Sequence, residues 1–228
     1  MKRAMHSIAC IGLVAGISIA AQAYTTTTLD VVIKNHMTLT SGDKAFTDFG
    51  FLSADFIASQ VTVQYGNDVI DKDGNFGICF QGAFTARAGE APKDFGLKFN
   101  VTAIPSDRII TDAHLAITGS AHGKDSGVDV SETVIPSIGA ALGLDAFING
   151  DGTYQLTDAG FLGVPSKTVT VLKDVLLDPG TASNGRATVS LICQYFSQSA
   201  SVPEPGTVAI FVGMGISGGL LVAKRRKK

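Results

Sequence analysis

Val61-Thr62-Val63-Gln64-Tyr65 alternates apolar and polar side chains and stops at Gly66-Asn67; behind Asp73-Gly74-Asn75, the residues Phe76, Ile78 and Phe80 alternate again. A period of two marks a strand with one buried face, and Gly-Asn or Asp-Gly between such runs supplies the positive φ that tight turns need. The pattern recurs along the chain. Leu97, Phe99 and Val101 alternate, then Ala113, Leu115 and Ile117, Val128 and Val130, Val169 and Val171, and Val189, Leu191, Cys193 and Tyr195. Turn chemistry falls at Gly119-Ser120, Gly123 to Gly127, Asn149-Gly150-Asp151-Gly152 and Asn184-Gly185. This predicts seven strands or more in an all-β chain, an antiparallel β-sandwich with a jelly-roll-like body. Pro136 to Leu144, apolar but broken by two glycines, reads as a loop or one helical turn, and Tyr24 to Thr28 as an edge strand or frayed start.

Composition agrees. The 228 residues hold no Trp, 26 Gly and 17% charged side chains, whereas a helical bundle carries more Glu, Lys and Leu. Both ends read as segments apart from the body. Residues 1–23 read as a signal peptide: Lys2 and Arg3, an apolar run from Ile8 to Ala21, then Ala21-Gln22-Ala23 with small residues where a signal peptidase must fit them, and cleavage before Tyr24. Cys10 opens the apolar run instead of closing it, so it does not fit a lipid-modified cysteine. The body, 24–201, keeps 11 Lys and Arg against 19 Asp and Glu, a net charge of −8. Such a surface argues against a polyanion, and nucleic acid is excluded as a partner.

The end of the chain has three parts: Val202-Pro203-Glu204-Pro205, an uncharged stretch from Gly206 to Ala223, and Lys224-Arg225-Arg226-Lys227-Lys228. As a helix, residues 206–223 rise about 27 Å, enough for the hydrocarbon core of a bilayer. The five cations belong on the cytoplasmic side, which puts the body across the membrane. The two prolines push Val202 and Glu204 to extended geometry, a form a protease can grip. Two motif matches in this tail are set aside. Gly213-Met214-Gly215-Ile216-Ser217-Gly218 fits a dinucleotide fingerprint without its βαβ unit, and Gly215-Ile216-Ser217-Gly218-Gly219 fits a nucleophile elbow with no His after position 122.

This tail resembles the PEP-CTERM sorting signal of Gram-negative bacteria over residues 202–228, through Val202, Pro203, Glu204 and Pro205, the apolar helix and the pair Arg225-Arg226. The resemblance implies an exosortase substrate: export by the Sec machinery, signal-peptidase cleavage, a transient hold in the inner membrane through 206–223 with a periplasmic body, then cutting near the motif and delivery to the cell surface or outside. It also implies an association with exopolysaccharide. The sortase motif Leu-Pro-x-Thr-Gly is absent.

Two cysteines remain after signal removal, Cys79 and Cys193, both in strand-like runs, and an oxidising compartment allows either a bridge or two buried thiols. The body offers no signature for catalysis, a cofactor or a metal. It has no His-Glu-x-x-His and no cysteine cluster, and its histidines are His36, His114 on the solvent side of a strand, and His122 in a turn. Asp71-Lys72-Asp73-Gly74-Asn75 begins like a calcium loop, but Phe76 replaces the required Gly and Gly82 stands where a bidentate Glu is needed, so a hairpin turn is expected. Asp145, Asn149 and Asp151 form a second oxygen-rich turn. Asn100-Val101-Thr102 fits a glycosylation sequon without consequence in a bacterial chain. A non-catalytic surface body is expected. The alternatives are a polysaccharide-active enzyme with a carboxyl pair drawn from Asp112, Asp129 and Glu132, and a periplasmic ligand-binding module.

Overall fold

The computed structural model describes residues 24–201. The signal segment, its cleavage residues Ala21 and Ala23, and the tail with Val202, Pro203, Glu204, Pro205 and the span 206–223 lie outside the described residues. Among those described, no helix is long and apolar enough to cross a membrane.

Among the described residues, fourteen strands, all paired antiparallel, form two seven-stranded sheets. The first runs in the order β1 (Thr25–Thr28), β4 (Thr62–Tyr65), β5 (Gly77–Arg87), β13 (Arg186–Tyr195), β7 (Arg108–His122), β11 (Thr157–Ser166), with β14 (Gln198–Ala200) also on β7. The second runs β10 (Tyr154–Gln155), β9 (Leu142–Asn149), β8 (Gly127–Pro136), β12 (Thr168–Asp178), β6 (Lys93–Ala103), β3 (Lys44–Leu52), β2 (Leu39–Ser41). From β5 to β8, and again from β11 to β13, the chain changes sheet at each strand, so neither sheet closes without the other. The expected β-sandwich is present.

Period-two alternation sets the core. On β8, Val128, Val130, Glu132 and Val134 point inward, and on β6 Phe95, Leu97, Phe99 and Val101 do the same. With no Trp to fill space, phenylalanines do so. Phe84 and Phe95 stack across the sheets at 4.4 Å, and Phe56 meets both edge-on at 5.2 and 5.5 Å. Burying one such ring is worth about 1.5–3 kcal/mol.

Cys79 on β5 and Cys193 on β13 stand directly opposite one another, 4.1 Å apart at Cα, and form a disulfide. They face outward from the first sheet, where Val69, Tyr195, Leu191 and Ala116 cover them.

Several sequence expectations need correction. Gly119-Ser120 is no turn but the interior of β7, where β13 bulges between Val189 and Leu191 and absorbs the irregularity. His122 accordingly ends a strand. Pro136 and Leu142 to Leu144 belong to β8 and β9, leaving a short turn with Gly139 at φ +101 and no helix. A helix occurs instead at α1 (Leu29–Lys34), whose Leu29 and Val32, three apart, both reach the core while the Leu29 N–H donates to the Val61 carbonyl at 2.9 Å. Residues 198–201 stay attached to the first sheet. β14 pairs with Arg108 to Ile110, the Ser201 N–H donates to the Asp107 carbonyl at 2.7 Å, and the Gln198 amide reaches Asp43 beside buried Lys44.

Candidate functional site

The segment Asp71 to Asn75 is closed by a bridge between Ile70 and Phe76 and folds over the outer face of the first sheet. Asp71 organises it. Its Oδ1 accepts the N–H groups of Asp73 and Asn75, both at 2.9 Å, and its Oδ2 accepts the Asn75 amide at 2.9 Å. Gly74 takes φ +85, the left-handed region that a side chain would strain. On β7, Ala113, Leu115 and Ile117 belong to the core, so strand parity turns Asp112 and His114 outward beneath this loop.

Three chain segments thereby meet. His114 Nδ1 lies 3.0 Å from Asp71 Oδ2 and its Nε2 lies 3.4 Å from Asp112 Oδ1. Asp112, 7% exposed, accepts the Ser197 N–H at 2.9 Å, and the Ser197 hydroxyl donates to Asn75 Oδ1 at 2.8 Å. One donor atom each from Asp71, Asp73 and His114 falls within 4.8 Å of the others. These groups border a cleft of about 570 Å³ that continues along Thr157 to Ala159, and an adjoining one of about 360 Å³ reaching Phe161. Phe161, on β11 opposite Asp112, is 80% exposed. Burial alone would push the Asp71 carboxyl up, but the donors from Asn75 and Asp73, with His114, hold it below the usual carboxylate range. Burial, helped by the Asp71 charge, pushes the Tyr195 hydroxyl up.

The three acids considered as a catalytic pair occupy three different places. Asp112 is on the outer face of the first sheet; Asp129 is on the outer face of the second, its carboxyl raised by partial burial and then by Asp145 and Asp174. Glu132 points between the sheets. It stands opposite Lys173 on β12, whose ammonium donates to Glu132 Oε2 and to Gln194 Oε1 from the facing sheet. Burial drives the Glu132 carboxyl up and the Lys173 ammonium down. No two of these acids share a cleft.

The second oxygen-rich turn also divides. Asp151 spends its carboxylate on the Thr153 N–H and hydroxyl, and with Asn149, Asp125, Asp129 and Asp178 it lines a separate cleft of about 520 Å³ that Asp145 does not border. Asn100 is engaged by Asp48 and Thr170. The sequence singled out Asp71 to Asn75 as a turn and His114 as outward-facing, yet their meeting was missed. Parity carried each half of that signal; only strand order, with the Phe76 end of β5 two strands from β7, brings them together.

No family model and no curated protein matches the chain. Among solved structures it is similar to TmCBM61 in complex with beta-1,4-galactotriose, at 11% identity over 65% of this chain and 88% of that one, with TM-score 0.37. It is similar also to the carbohydrate-binding module TmCBM27, described for mannan recognition, at 8% over 77% and 98%, TM-score 0.26. An exo-beta-1,3-galactanase from Phanerochaete chrysosporium aligns at 15% over 69% and 43%, TM-score 0.23.

Proposed function

We propose that the chain is an exported, exosortase-sorted protein of the cell surface or extracellular matrix whose β-sandwich body is non-catalytic. The observation that carries this reading is the joint pattern of the two ends, the signal segment 1–23 and the PEP-CTERM-like tail 202–228. The disulfide between β5 and β13 supports it, because such bonds persist in exported proteins. The non-catalytic reading is supported by the dispersal of Asp112, Asp129 and Glu132 over two outer faces and the core, since glycoside cleavage needs carboxyls about 5 to 9 Å apart across one substrate.

Intact-mass measurement of the surface fraction from an exosortase-bearing host tests the sorting. The expected species starts at Tyr24 and lacks the tail; deletion of Val202 to Pro205 should leave the protein in the inner membrane. Recovery of surface protein that still runs through Lys228 would defeat the reading.

A contact with neutral exopolysaccharide is favoured by one observation. Phe161 presents an open ring beside Asp73, Asn75, Asp112 and His114, an apolar platform flanked by hydrogen-bonding groups, on a body too acidic to attract a polyanion. Replacing Phe161 with Ala should lower retention on the host's immobilised neutral polysaccharide about tenfold, the effect of losing one buried anchor. Equal retention would remove the cleft from this role.

A further inference from the structure

We propose that Asp71, Asp73 and His114 hold a divalent transition-metal ion of the zinc type, with Asp112 as the outer partner that orients the histidine. The proposal is independent of the sorting reading.

Charge comes first. Asp71, Asp73 and Asp112 surround a single imidazole. Lys44 acts on Asp112 from the core side, and Lys72, 3.5 Å from Asp73, extends into solvent with its side chain 90% exposed. Asp71 and Asp73 therefore lie close together with only His114 and the solvent-screened ammonium of Lys72 to offset them, an arrangement that attracts a cation.

The ring geometry then selects the kind of cation. Both nitrogens of His114 face carboxylates, at 3.0 and 3.4 Å, while a neutral imidazole has one N–H to give. The other nitrogen presents a lone pair to an anion unless a proton or a metal stands between them. Nδ1 faces Asp71, one of whose oxygens lies within 4.8 Å of one from Asp73, and Nε2 is the side on which the buried Asp112 waits, fixed by the Ser197 N–H. A histidine that ligates through one nitrogen while donating the other N–H to a held carboxylate is the usual support of a metal-bound imidazole. A set of one imidazole and two carboxylates suits zinc or its neighbours, whereas calcium takes oxygen ligands throughout. Three protein ligands on the wall of an open cleft leave further positions for water or a ligand's hydroxyl.

The full chain, purified in detergent and stripped with a chelator, should bind one equivalent of Zn²⁺ per chain in competition with a fluorescent chelator, and Ca²⁺ far more weakly. X-ray absorption at the zinc edge should show one imidazole nitrogen among oxygen neighbours. His114→Gln and Asp73→Asn should abolish the site, and Asp112→Asn should weaken it about 10- to 100-fold. Asp73 is exposed and outside the core, so its variant tests the site without unfolding the sheet, and the absorption spectrum of the unaltered chain needs no variant. Failure to bind Zn²⁺, zinc binding unchanged in Asp73→Asn, a shell without imidazole, or a preference for Ca²⁺ would each overturn the assignment.

Discussion

Glu132→Ala is expected to lower the unfolding free energy by about 3–5 kcal/mol, the cost of leaving one member of a buried ion pair alone. Both side chains are fully buried, so the Lys173 ammonium left behind would keep Gln194 Oε1 as its one acceptor and have no water to turn to. Two further results separate this cause from a simple cavity. Replacing both partners, as in Glu132→Leu with Lys173→Met, removes the stranded charge and should restore most of the loss. Stability of the single variant should also climb as pH rises. Burial holds the folded-state pKa of Lys173 below its unfolded value near 10.4, so between those two values the unfolded chain binds more protons and raising the pH favours the folded state. The penalty is complete below the folded value and fades as pH approaches that of the free lysine. Urea titrations at several pH values read all three outcomes. A loss under about 1 kcal/mol at pH 7, or one that persists unchanged to pH 10, would mean that the pair is not the determinant.

Loss of the disulfide should be about as costly. Cys79 and Cys193 are 114 positions apart, and closing a loop of that order restricts the unfolded chain by about 4–5 kcal/mol on the chain-entropy model. The native geometry does not demand the bond. β13 is hydrogen-bonded to β5 and to β7, so Cys79→Ser with Cys193→Ser should keep the same fold while lowering the unfolding free energy read from urea titration by that amount. Reductant should move the wild type by a similar amount and leave the double variant untouched. An equal response of both proteins to reductant would refute the assignment.

Much of the architecture could be read from parity. The alternating runs near 61–65, 76–80, 97–101, 113–117, 128–130, 169–171 and 189–195 all lie in or beside strands. Harder to read were segments whose period is masked. Six residues of α1 are too few to display a helical repeat. On β12, Leu172 and Leu176 face outward while Lys173 faces in, which inverts the hydrophobic rule, because the partner that makes Lys173 tolerable, Glu132, is some forty positions away. Glu132 itself was legible as inward-facing from Val128, Val130 and Val134, although its use as a charge partner was not. Gly119 read as a turn because a glycine in a strand interior carries no β signal, yet a Cβ there would collide with the β13 backbone at the bulge. The cluster at Asp71, Asp112 and His114 depends on strand order, which local spacing does not encode.

The position of the sulfur bridge also decides how the body responds to being pulled. A tug on the C-terminal side enters at Ser201, strips β14 from β7, and can draw out residues 194–201, about 28 Å of chain at ~3.5 Å per residue. At Cys193 the tension leaves the main chain and crosses to Cys79 on β5. Residues 80–192, which include all of β6 to β12, lie inside the closed ring and bear no axial load. Among the described residues, those that can lengthen are 24–78 and 194–201. A body held by its C-terminal side under flow would therefore give up those residues, and with them Tyr195 and Ser197 of the two clefts, and then stop at the bridge, with Asp112, His114 and Phe161 kept on the unloaded ring.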